Sequence, residues 1–410
     1  MNILYSIFLF FYRVGIALAV PFNHKAKLWQ QGRKGEFSRL SATFNQTTHP
    51  IWVHCASLGE YEQAKPVIQK LKSEHPECKV LVTFFSPSGY EIRKNDPLPD
   101  YIFYLPMDFS RNARRFIRIV QPKMAIFIKY EFWFHYMHCL HEANIPLYYV
   151  SAIFRPSQYF FKPFGHWFAH RLQEASFFFV QNEESESLLH QIHIDRVEVC
   201  GDTRFDRVYA IANQDYTLDE ILAFKQNKKL LVAGSTWEPD ELLLSQLFSQ
   251  IKDHYRLIVA PHEINRLSSV QKTFEAFNVL PYTQREGHNL ADYDVLIIDT
   301  MGLLSKIYKY SDLSYIGGAF KTGLHNILEA GVFGVPLFFG PHYQHFNEAV
   351  RLVQLKGAFP VTSSEDMLHI VREFEQDEEF YRSTCTICRQ YVESNIGAGD
   401  KIYNIIKTSL

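Results

Sequence analysis

The chain has 410 residues, which is too long for one ordinary hydrophobic core and long enough for two domains. Apolar residues make up 47% and charged residues 21%, as expected of a folded protein rather than a disordered one. The net charge of −2 excludes a protein-wide attraction to nucleic acid, so no nucleic-acid partner is predicted. Six scattered cysteines lack the density of a disulfide-stabilised domain and indicate reduced thiols in a cytoplasm.

The N-terminal segment, residues 1–22, is apolar and aromatic apart from Arg13. It lacks a clear basic start and a clear small-residue cleavage site, so we predict a retained membrane anchor rather than a signal peptide. Because Arg13 lies near its middle, a spanning helix and a shallow interfacial helix both remain open. The basic residues that follow predict that the remaining chain stays on the cytoplasmic side: Lys25, Lys27, Arg33 and Lys34.

Beyond residue 50, short apolar runs alternate with helical patterns. Nearly continuous apolar strands predict parallel sheets that are covered on both faces. The first series of predicted strands is 51–54, 79–84, 101–105, 124–128, 147–150, 177–180 and 197–200. After a polar stretch at 206–229, a second series follows at 230–233, 256–260, 295–299, 313–316 and 335–339.

This pattern predicts an α/β protein with two Rossmann-like, doubly wound domains in tandem. The predicted division is an anchor at residues 1–22, an N-terminal domain at 23–212 and a C-terminal domain at 213–410. The last helix either stays with the C-terminal domain or packs back on the N-terminal domain. Ligands of such sheets bind at the carboxyl ends of strands, which is where the two most informative motifs lie.

The first motif follows the strand at residues 51–54 and contains Ser57, Gly59 and Glu60. A glycine permits a tight turn or the close approach of a ligand, and Glu60 falls in the first turn of a helix. The carboxylate of Glu60 is therefore a candidate general base. The alternative is that it only complements the positive end of the helix dipole.

The second motif is a glycine-rich segment that precedes a helix. A helix start with free backbone N–H groups attracts phosphate, and a carboxylate one turn further on can bind sugar hydroxyls. The residues of this motif are Gly317, Gly318, Gly323, Asn326 and Glu329. Another predicted strand ends at Gly234, Ser235 and Thr236. The hydroxyl groups there either contact a phosphate or only cap the next helix. The dinucleotide fingerprint Gly-x-Gly-x-x-Gly is absent from the first βα unit.

Three other clusters have mainly structural interpretations. His135, His138 and His141 do not share one helix face, and the Cys385–Cys388 pair lacks further ligands, so no metal site is predicted. The segment 154–171 alternates aromatic and basic side chains, which favours a membrane headgroup interface over a core helix with a solvated face. Structural and functional interpretations are equally open for Gly340, His342 and the helix start near Glu348.

Taken together, these segments resemble the Kdo (3-deoxy-D-manno-octulosonic acid) transferases of lipopolysaccharide assembly, over nearly the whole chain. His54-x-x-Ser57-x-Gly59-Glu60 is similar to the family's early motif, whose glutamate is the catalytic base. The family's nucleotide loop is matched by Gly317, Gly318, His325, Asn326 and Glu329, and the segment after it by Gly340, Pro341, His342, Phe346 and Glu348.

The resemblance implies a GT-B fold and inverting transfer of Kdo from CMP-Kdo to a lipid A precursor, with no cofactor and no metal. It also implies association with the cytoplasmic face of the inner membrane. Glu60 would be the catalytic base, and Ser57, Gly59 and Glu131 would bind acceptor or Kdo. The implied donor-binding residues are Ser235, Thr236, His262, Gly317, Gly318, Gly323, His325, Asn326 and Glu329.

The chain departs from the family pattern at two places. Lys129-Tyr130-Glu131-Phe132-Trp133 keeps only the second of two usual glutamates before the tryptophan. The usual arginine of a Pro-Arg-His element is absent at Pro261-His262, so His262, Arg266 and Arg204 are candidate contacts to the donor phosphate.

Three alternatives remain open. One is another GT-B transferase that moves a sugar from a UDP-sugar to a membrane lipid. The second is a sugar-nucleotide epimerase or hydrolase, against which the anchor counts. The third is an inactive membrane-bound binding module, against which Glu60 counts.

Overall fold

The computed structural model describes residues 2–44, 48–321 and 323–410. Met1, in the predicted anchor, and Thr322, in the glycine-rich loop, lie outside the described residues. The chain forms two compact units, the first comprising Met1–Arg207 with Ile396–Leu410 and the second Val208–Asn395. The boundary predicted at residue 213 lies just beyond this division.

The first unit contains a parallel sheet of seven strands in the order β3-β2-β1-β4-β5-β6-β7. Its strands are β1 (Ile51–Cys55), β2 (Val80–Phe84), β3 (Tyr101–Tyr104), β4 (Met124–Ile128), β5 (Leu147–Ala152), β6 (Phe177–Val180) and β7 (Val197–Val199). Every residue of β1, β2, β4 and β5 is buried, because helices cover both faces of the sheet.

The helices of the first part of the chain are α1 (Asn2–Ala19), α2 (His24–Gly32), α3 (Glu36–Thr43), α4 (Leu58–Glu74), α5 (Pro87–Arg93), α6 (Ser110–Val120), α7 (Phe134–Glu142), α8 (His166–Leu172), α9 (Glu183–Gln191) and α10 (Thr203–Ala212). A short 3-10 helix lies at Tyr159–Phe161. The division between the units falls within α10.

The second unit has a parallel sheet of seven strands in the order β10-β11-β9-β8-β12-β13-β14. Its strands are β8 (Lys229–Thr236), β9 (Tyr255–Pro261), β10 (Val279–Pro281), β11 (Val295–Ile297), β12 (Leu313–Ile316), β13 (Leu337–Phe339) and β14 (Ala358–Pro360). Its helices are α11 (Asp219–Lys225), α12 (Glu238–Ile251), α13 (Leu267–Thr273), α14 (Leu304–Ile307), α15 (Leu328–Gly331), α16 (Asn347–Gln354), α17 (Ser364–Gln376) and α18 (Glu378–Glu393). Further 3-10 helices lie at Ile264–Arg266, Tyr282–Gln284, Leu290–Asp292 and Tyr308–Tyr310.

The last helix, α19 (Ala398–Ile406), returns to the first unit and is followed by a 3-10 helix at Lys407–Ser409. It packs on α4, and the carboxylate of Asp206 accepts the N–H groups of Gly397 at 2.6 Å and Gly399 at 3.0 Å. Ile402 and Ile406 are fully buried in the core on this side of the first sheet.

The predicted α/β architecture is confirmed, including all seven predicted strands of the first series and all five of the second. The strands that were not predicted are β10 and β14 at the two edges of the second sheet. Each has only three residues and ends in proline, so neither leaves the apolar run by which a strand is recognised. The polar stretch at 206–229 is partly helical, in α10 and α11.

Helix α1 is amphipathic in its packing. The Tyr5 hydroxyl donates to the fully buried carboxylate of Asp108 at 2.8 Å, and Leu9 is buried with Trp29 and Met107. Burial raises the pKa of Asp108 to about 7. Within the described residues no single helix is long and apolar enough to cross a membrane; Ile3–Ala19 and His24–Gly32 suffice only together, and they are bent by 119°.

The basic-aromatic segment contributes mainly to the core. Phe154 and Phe160 are buried, and the aromatic rings that pack against the same core are those of Phe161, Trp167 and Phe168. Among its basic residues, Arg171 is buried and pairs with Glu174. The prediction of a headgroup interface is therefore wrong for these side chains, because they pack in the core of the first unit. Phe164 of the same segment is exposed.

Candidate active site

Both sheets reverse their strand order at one point, and the predicted motifs lie at the carboxyl ends of the strands that flank it. In the first sheet these neighbours are β1 and β4, and in the second they are β8 and β12. A crevice forms at such a point because successive connections leave the sheet in opposite directions. Glu60 follows β1, Glu131 follows β4, Ser235 ends β8 and Gly317 follows β12.

Glu60 is half-buried in the first turn of α4 and forms a capping box with Ser57. The backbone N–H of Ser57 donates to Oε2 of Glu60 at 2.9 Å, and the Ser57 hydroxyl donates to the same oxygen. Within the described residues these hydrogen bonds leave Oε1 as the oxygen that can accept a substrate proton. Gly59 lies inside α4 and is exposed, so the helix start needs no tight turn there.

Glu131 is held by a network that links β1, β2 and the start of α7. The indole N–H of Trp133 lies 3.0 Å from Oε2 of Glu131 and 2.9 Å from Nε2 of His54. Nδ1 of His54 lies 3.1 Å from the Thr83 carbonyl and 2.9 Å from its hydroxyl. His54 therefore accepts at Nε2 and donates at Nδ1, which is the pattern of a neutral imidazole.

Several charges of the first unit converge on the Tyr130 hydroxyl. Burial raises its pKa, the carboxylates of Glu60 and Glu131 raise it further, and Arg155 and Arg204 lower it. Arg204 is fixed by the buried Asp202, whose Oδ2 lies 2.8 Å from Nε of Arg204. The neighbourhood of Glu60 thus contains both carboxylates and guanidinium groups.

In the second unit, the end of β8 is irregular. Ser235 has a φ of 54°, and the pairing of β8 with β9 shifts its register between Gly234 and Thr236. A left-handed serine is strained unless its surroundings impose it, and such residues concentrate at functional sites. The hydroxyl of the fully buried Thr236 donates to Glu241 at 3.1 Å, so of these two side chains only Ser235 remains a candidate donor contact.

The glycines after β12 are required for close packing. A Cβ at Gly317 would lie 2.4 Å from the Ser235 carbonyl oxygen, and one at Gly318, which has a φ of 96°, would lie 2.4 Å from the Gly323 carbonyl oxygen. Their N–H groups are already used: Gly317 donates to the Gly234 carbonyl, Gly318 to Asp240 and Gly323 to the Gly318 carbonyl. These three N–H groups are therefore not free for a phosphate.

The helix after this loop, α15, has only four residues. The side chain of Asn326 accepts the Leu328 N–H at 3.2 Å and donates to Oε1 of Glu329 at 3.1 Å. Among the described residues, the backbone N–H groups of Asn326 and Ile327 make no hydrogen bond. They are the donors at this helix start that can meet a phosphate.

A stack of rings lies beside this loop. His262, at the end of β9, stacks on His325 at a centroid distance of 4.4 Å and on Trp237 at 4.9 Å. Burial and the neighbouring His262 lower the pKa of His325 to about 4, so His325 is neutral at physiological pH. Its Nε2 accepts the indole N–H of Trp237 at 3.4 Å, which leaves Nδ1 as a hydrogen-bond donor for a ligand, and the ring adds no positive charge.

Arg266 lies on the same edge but is paired. Its guanidinium donates to the buried carboxylate of Glu241 at 2.7 and 3.0 Å, and this partner raises the pKa of Arg266. The pairing neutralises much of the charge that Arg266 would offer to a phosphate. Within the described part of the chain, no three His, Cys, Asp or Glu side chains come together as metal ligands would. Cys388, for example, is buried with its Sγ 3.0 Å from the Gly357 carbonyl oxygen.

Sequence reasoning did not identify Trp133 at the sheet edge of the first unit, nor Trp237 and Asp240 at the sheet edge of the second. Asp240 accepts hydrogen bonds from the Trp237 and Gly318 N–H groups and from the Tyr315 hydroxyl, so it ties α12 to the glycine-rich loop. The capping-box spacing from Trp237 to Asp240 is visible in the sequence. The partners Gly318 and Tyr315 are more than seventy residues away and leave no local signal.

Comparison with known proteins finds relatives that match most of the chain. The family described as 3-deoxy-D-manno-octulosonic-acid transferase (kdotransferase) matches residues 31–207. A 3-deoxy-D-manno-octulosonic acid transferase of Haemophilus influenzae is 28% identical over 386 residues, which are 88% of this chain and 87% of that protein. A bifunctional glycosyltransferase/methyltransferase of Fusobacterium nucleatum is 24% identical over 83% of this chain, which spans about half (55%) of that relative.

Among solved structures, a UDP-GlcNAc 2-epimerase from Neisseria meningitidis bound to UDP-GlcNAc superposes with a TM-score of 0.62. The match covers 88% of this chain and all (100%) of that one at 14% identity, so it concerns the fold alone. The fold is GT-B, with two doubly wound units. The chain is a glycosyltransferase that is similar, over most of its length, to 3-deoxy-D-manno-octulosonic acid transferases.

Proposed function

We propose that the protein transfers Kdo from CMP-Kdo to a lipid A precursor, with inversion at the anomeric carbon and without a metal or cofactor. The observation that carries this proposal is the position of Glu60. The chain is similar to these transferases, and the Glu60 carboxylate lies at the carboxyl end of β1, where the strand order reverses. Its Oε2 is used in the capping box, so Oε1 is the oxygen that remains for a substrate.

In the proposed reaction Oε1 of Glu60 accepts the proton of a glucosamine hydroxyl of the acceptor. The hydroxyl oxygen forms a bond to the anomeric carbon of Kdo, and the bond from that carbon to the phosphate oxygen of CMP breaks with its electron pair. CMP leaves as the anion. Glu131 and the guanidinium groups around Tyr130 would bind acceptor or Kdo on the same edge.

The donor contacts are proposed on the second unit. Ser235 and the N–H groups of Asn326 and Ile327 would bind the phosphate, and Glu329, held by the Asn326 amide, would accept the ribose hydroxyls. Gly317, Gly318 and Gly323 let this loop pack closely, and neutral His325 with His262 would present ring surface and hydrogen-bonding nitrogens. The identity of the residue that contributes positive charge to the donor phosphate stays a prediction.

We also propose that the protein works at the cytoplasmic face of the inner membrane. Support comes from α1, which turns its polar contacts toward Asp108 and leaves Phe8 63%, Phe11 65% and Leu18 70% exposed. An exposed apolar surface of this kind suits an interface with lipid acyl chains. Replacing Phe8, Phe11 and Leu18 with serine should release the full chain from liposomes in a flotation assay.

The direct test supplies the full chain in detergent micelles with CMP-Kdo and a lipid A precursor, and follows the product by mass spectrometry. The expected product is the precursor enlarged by one or more Kdo residues, together with free CMP. UDP-sugars with the same acceptor form the parallel arm. Transfer from a UDP-sugar but not from CMP-Kdo, or epimerisation of UDP-GlcNAc without acceptor, would overturn the proposal.

A further inference from the structure

Trp133 lies between two groups of the candidate active site. Its indole N–H is shared between Nε2 of His54 at 2.9 Å and Oε2 of Glu131 at 3.0 Å. The same two acceptor atoms are 3.7 Å apart, so one donor holds both in place. The Glu131 side chain is only 14% exposed, and a charge-assisted hydrogen bond to a poorly solvated carboxylate is stronger than one to an exposed group.

His54, the other acceptor of the Trp133 N–H, is itself held in place. Nδ1 of the fully buried His54 meets the carbonyl and the hydroxyl of Thr83, directly opposite His54 on β2. The Thr83 hydroxyl also accepts the indole N–H of Trp52 at 2.8 Å. His54 therefore cannot rotate without breaking several buried hydrogen bonds, and Trp133 is anchored by a rigid partner.

The ring of Trp133 is supported from the N-terminal helices. Phe85, directly after β2, packs on Trp133 at a centroid distance of 4.7 Å. On its other sides Phe85 contacts Tyr12 of α1 at 6.3 Å, Trp29 of α2 at 5.9 Å and the Arg33 guanidinium at 5.0 Å. Arg33 also donates to the Phe85 carbonyl at 2.8 Å and to the Leu105 carbonyl at 3.0 Å.

We propose that Trp133 is a positioning residue that sets the orientation of the Glu131 carboxylate, and that Phe85 transmits the packing of α1 and α2 to it. The inference rests on the proposed function and adds that the two N-terminal helices are part of the support of the active site. A membrane-facing segment is thereby connected, through Phe85 and Trp133, to a carboxylate on the same sheet edge as Glu60.

The first test is Trp133→Phe in the full chain, which keeps an aromatic ring and removes the N–H. We expect kcat to fall by about tenfold or more, the scale of one hydrogen bond to a charged group, with KM for CMP-Kdo within about twofold of wild type. Trp167→Phe is the matched control, because Trp167 packs on Phe134 and Phe168 inside the same unit and should leave both constants nearly unchanged. A kcat within about threefold of wild type, or a rise in KM for CMP-Kdo alone, would overturn the inference.

A second variant keeps the test valid if Trp133→Phe does not fold. Phe85→Leu retains the Trp133 N–H but removes its supporting ring, and we expect the same pattern with a smaller fall in kcat. Phe44→Leu is its control, since Phe44 packs on Tyr101 and Phe103 of the edge strand β3. Equal kcat values for Phe85→Leu and Phe44→Leu would contradict the transmission through Phe85.

A spectroscopic measurement separates this inference from the proposed function. In protein labelled with 15N-tryptophan, the Trp133 indole signal is assigned by its loss in Trp133→Phe. It should shift in Glu131→Ala and in Phe85→Leu, and stay in place in Phe44→Leu. This result requires no turnover, so an enzyme inactive on CMP-Kdo would refute the proposed function alone. An indole signal that does not respond to Glu131→Ala would refute the positioning role alone.

Discussion

The two units carry different side chains at the same type of sheet edge. In the first unit the ends of β1 and β4 present the carboxylates of Glu60 and Glu131. In the second unit the ends of β8 and β12 present a left-handed serine and close-packed glycines. The carboxylates there, Asp240 and Glu241, are fully buried and bind groups of their own unit.

This difference shows what a parallel sheet fixes and what it leaves to local sequence. The reversal of strand order creates the location in both units, whereas the side chains after each strand decide whether it suits proton transfer or the binding of an anion. A carboxylate that faces substrate serves as a base, while a carboxylate that satisfies backbone N–H groups shapes a loop. If the two units divide the roles in this way, single substitutions in each unit should have separate effects.

The assignment of proton transfer to the first unit is tested by Glu60→Gln. Turnover should fall by about a hundredfold or more through loss of general base catalysis, while CMP affinity measured by calorimetry stays at the wild-type value. Glu74→Gln, at the other end of α4, is the control and should leave turnover unchanged. Turnover within a few-fold of wild type would remove Glu60 from the catalytic role.

The assignment of nucleotide binding to the second unit is tested by Glu329→Ala. The variant should bind CMP more weakly by roughly 1.5–3 kcal/mol, the range for hydrogen bonds to a charged group. Glu365→Ala on α17 removes an exposed carboxylate of the same unit and should bind CMP as wild type does. Calorimetry with CMP and UDP measures both, and a preference for UDP in the wild type would contradict the assigned donor.

The close packing of the glycine-rich loop is tested by Gly317→Ala. The added Cβ meets backbone atoms of Ser235 at 2.4 Å and Thr236 at 2.7 Å, so the free energy of unfolding should fall by about 1–3 kcal/mol. In Gly331→Ala the new Cβ makes only ordinary contacts, the nearest at 3.6 Å with Leu337, and stability should be maintained. Urea denaturation compares the two; equal midpoints would show that the loop moves aside without cost.

The smallest expected effect concerns pH and His325. Its pKa is lowered to about 4 in the folded protein from the ordinary 6.5, so between these values the unfolded state binds more protons. The contribution of neutral His325 to stability is therefore complete above pH 6.5 and is lost as the pH falls toward 4. His325→Asn should lose less stability than the wild type between pH 7 and pH 5, as measured by urea midpoints at each pH. An identical loss would contradict the burial of neutral His325.

Much of the fold could be predicted because it depends on patterns within short stretches. The uninterrupted apolar runs of β1, β4 and β8 predict buried parallel strands, and Ser57 with Glu60 predicts the start of α4. The edge strands β10 and β14 were missed, because three residues ending in proline carry no such pattern. The hydrogen bonds of the Gly317 and Gly318 N–H groups could not be predicted either, because their acceptors Gly234 and Asp240 lie far away in the sequence.

The sequence by itself determined the class of fold, the alternation of strands and helices, and the position of both motifs directly after strands. Which motif residues bind groups of their own unit became clear only from the tertiary structure. Trp133 meets His54 across 79 positions of sequence because β1 and β4 are neighbours, and the Gly318 N–H meets Asp240 across 78 positions because β8 and β12 are neighbours. Such contacts follow from strand order and register, which are set by the packing of the whole sheet rather than by any local stretch of residues.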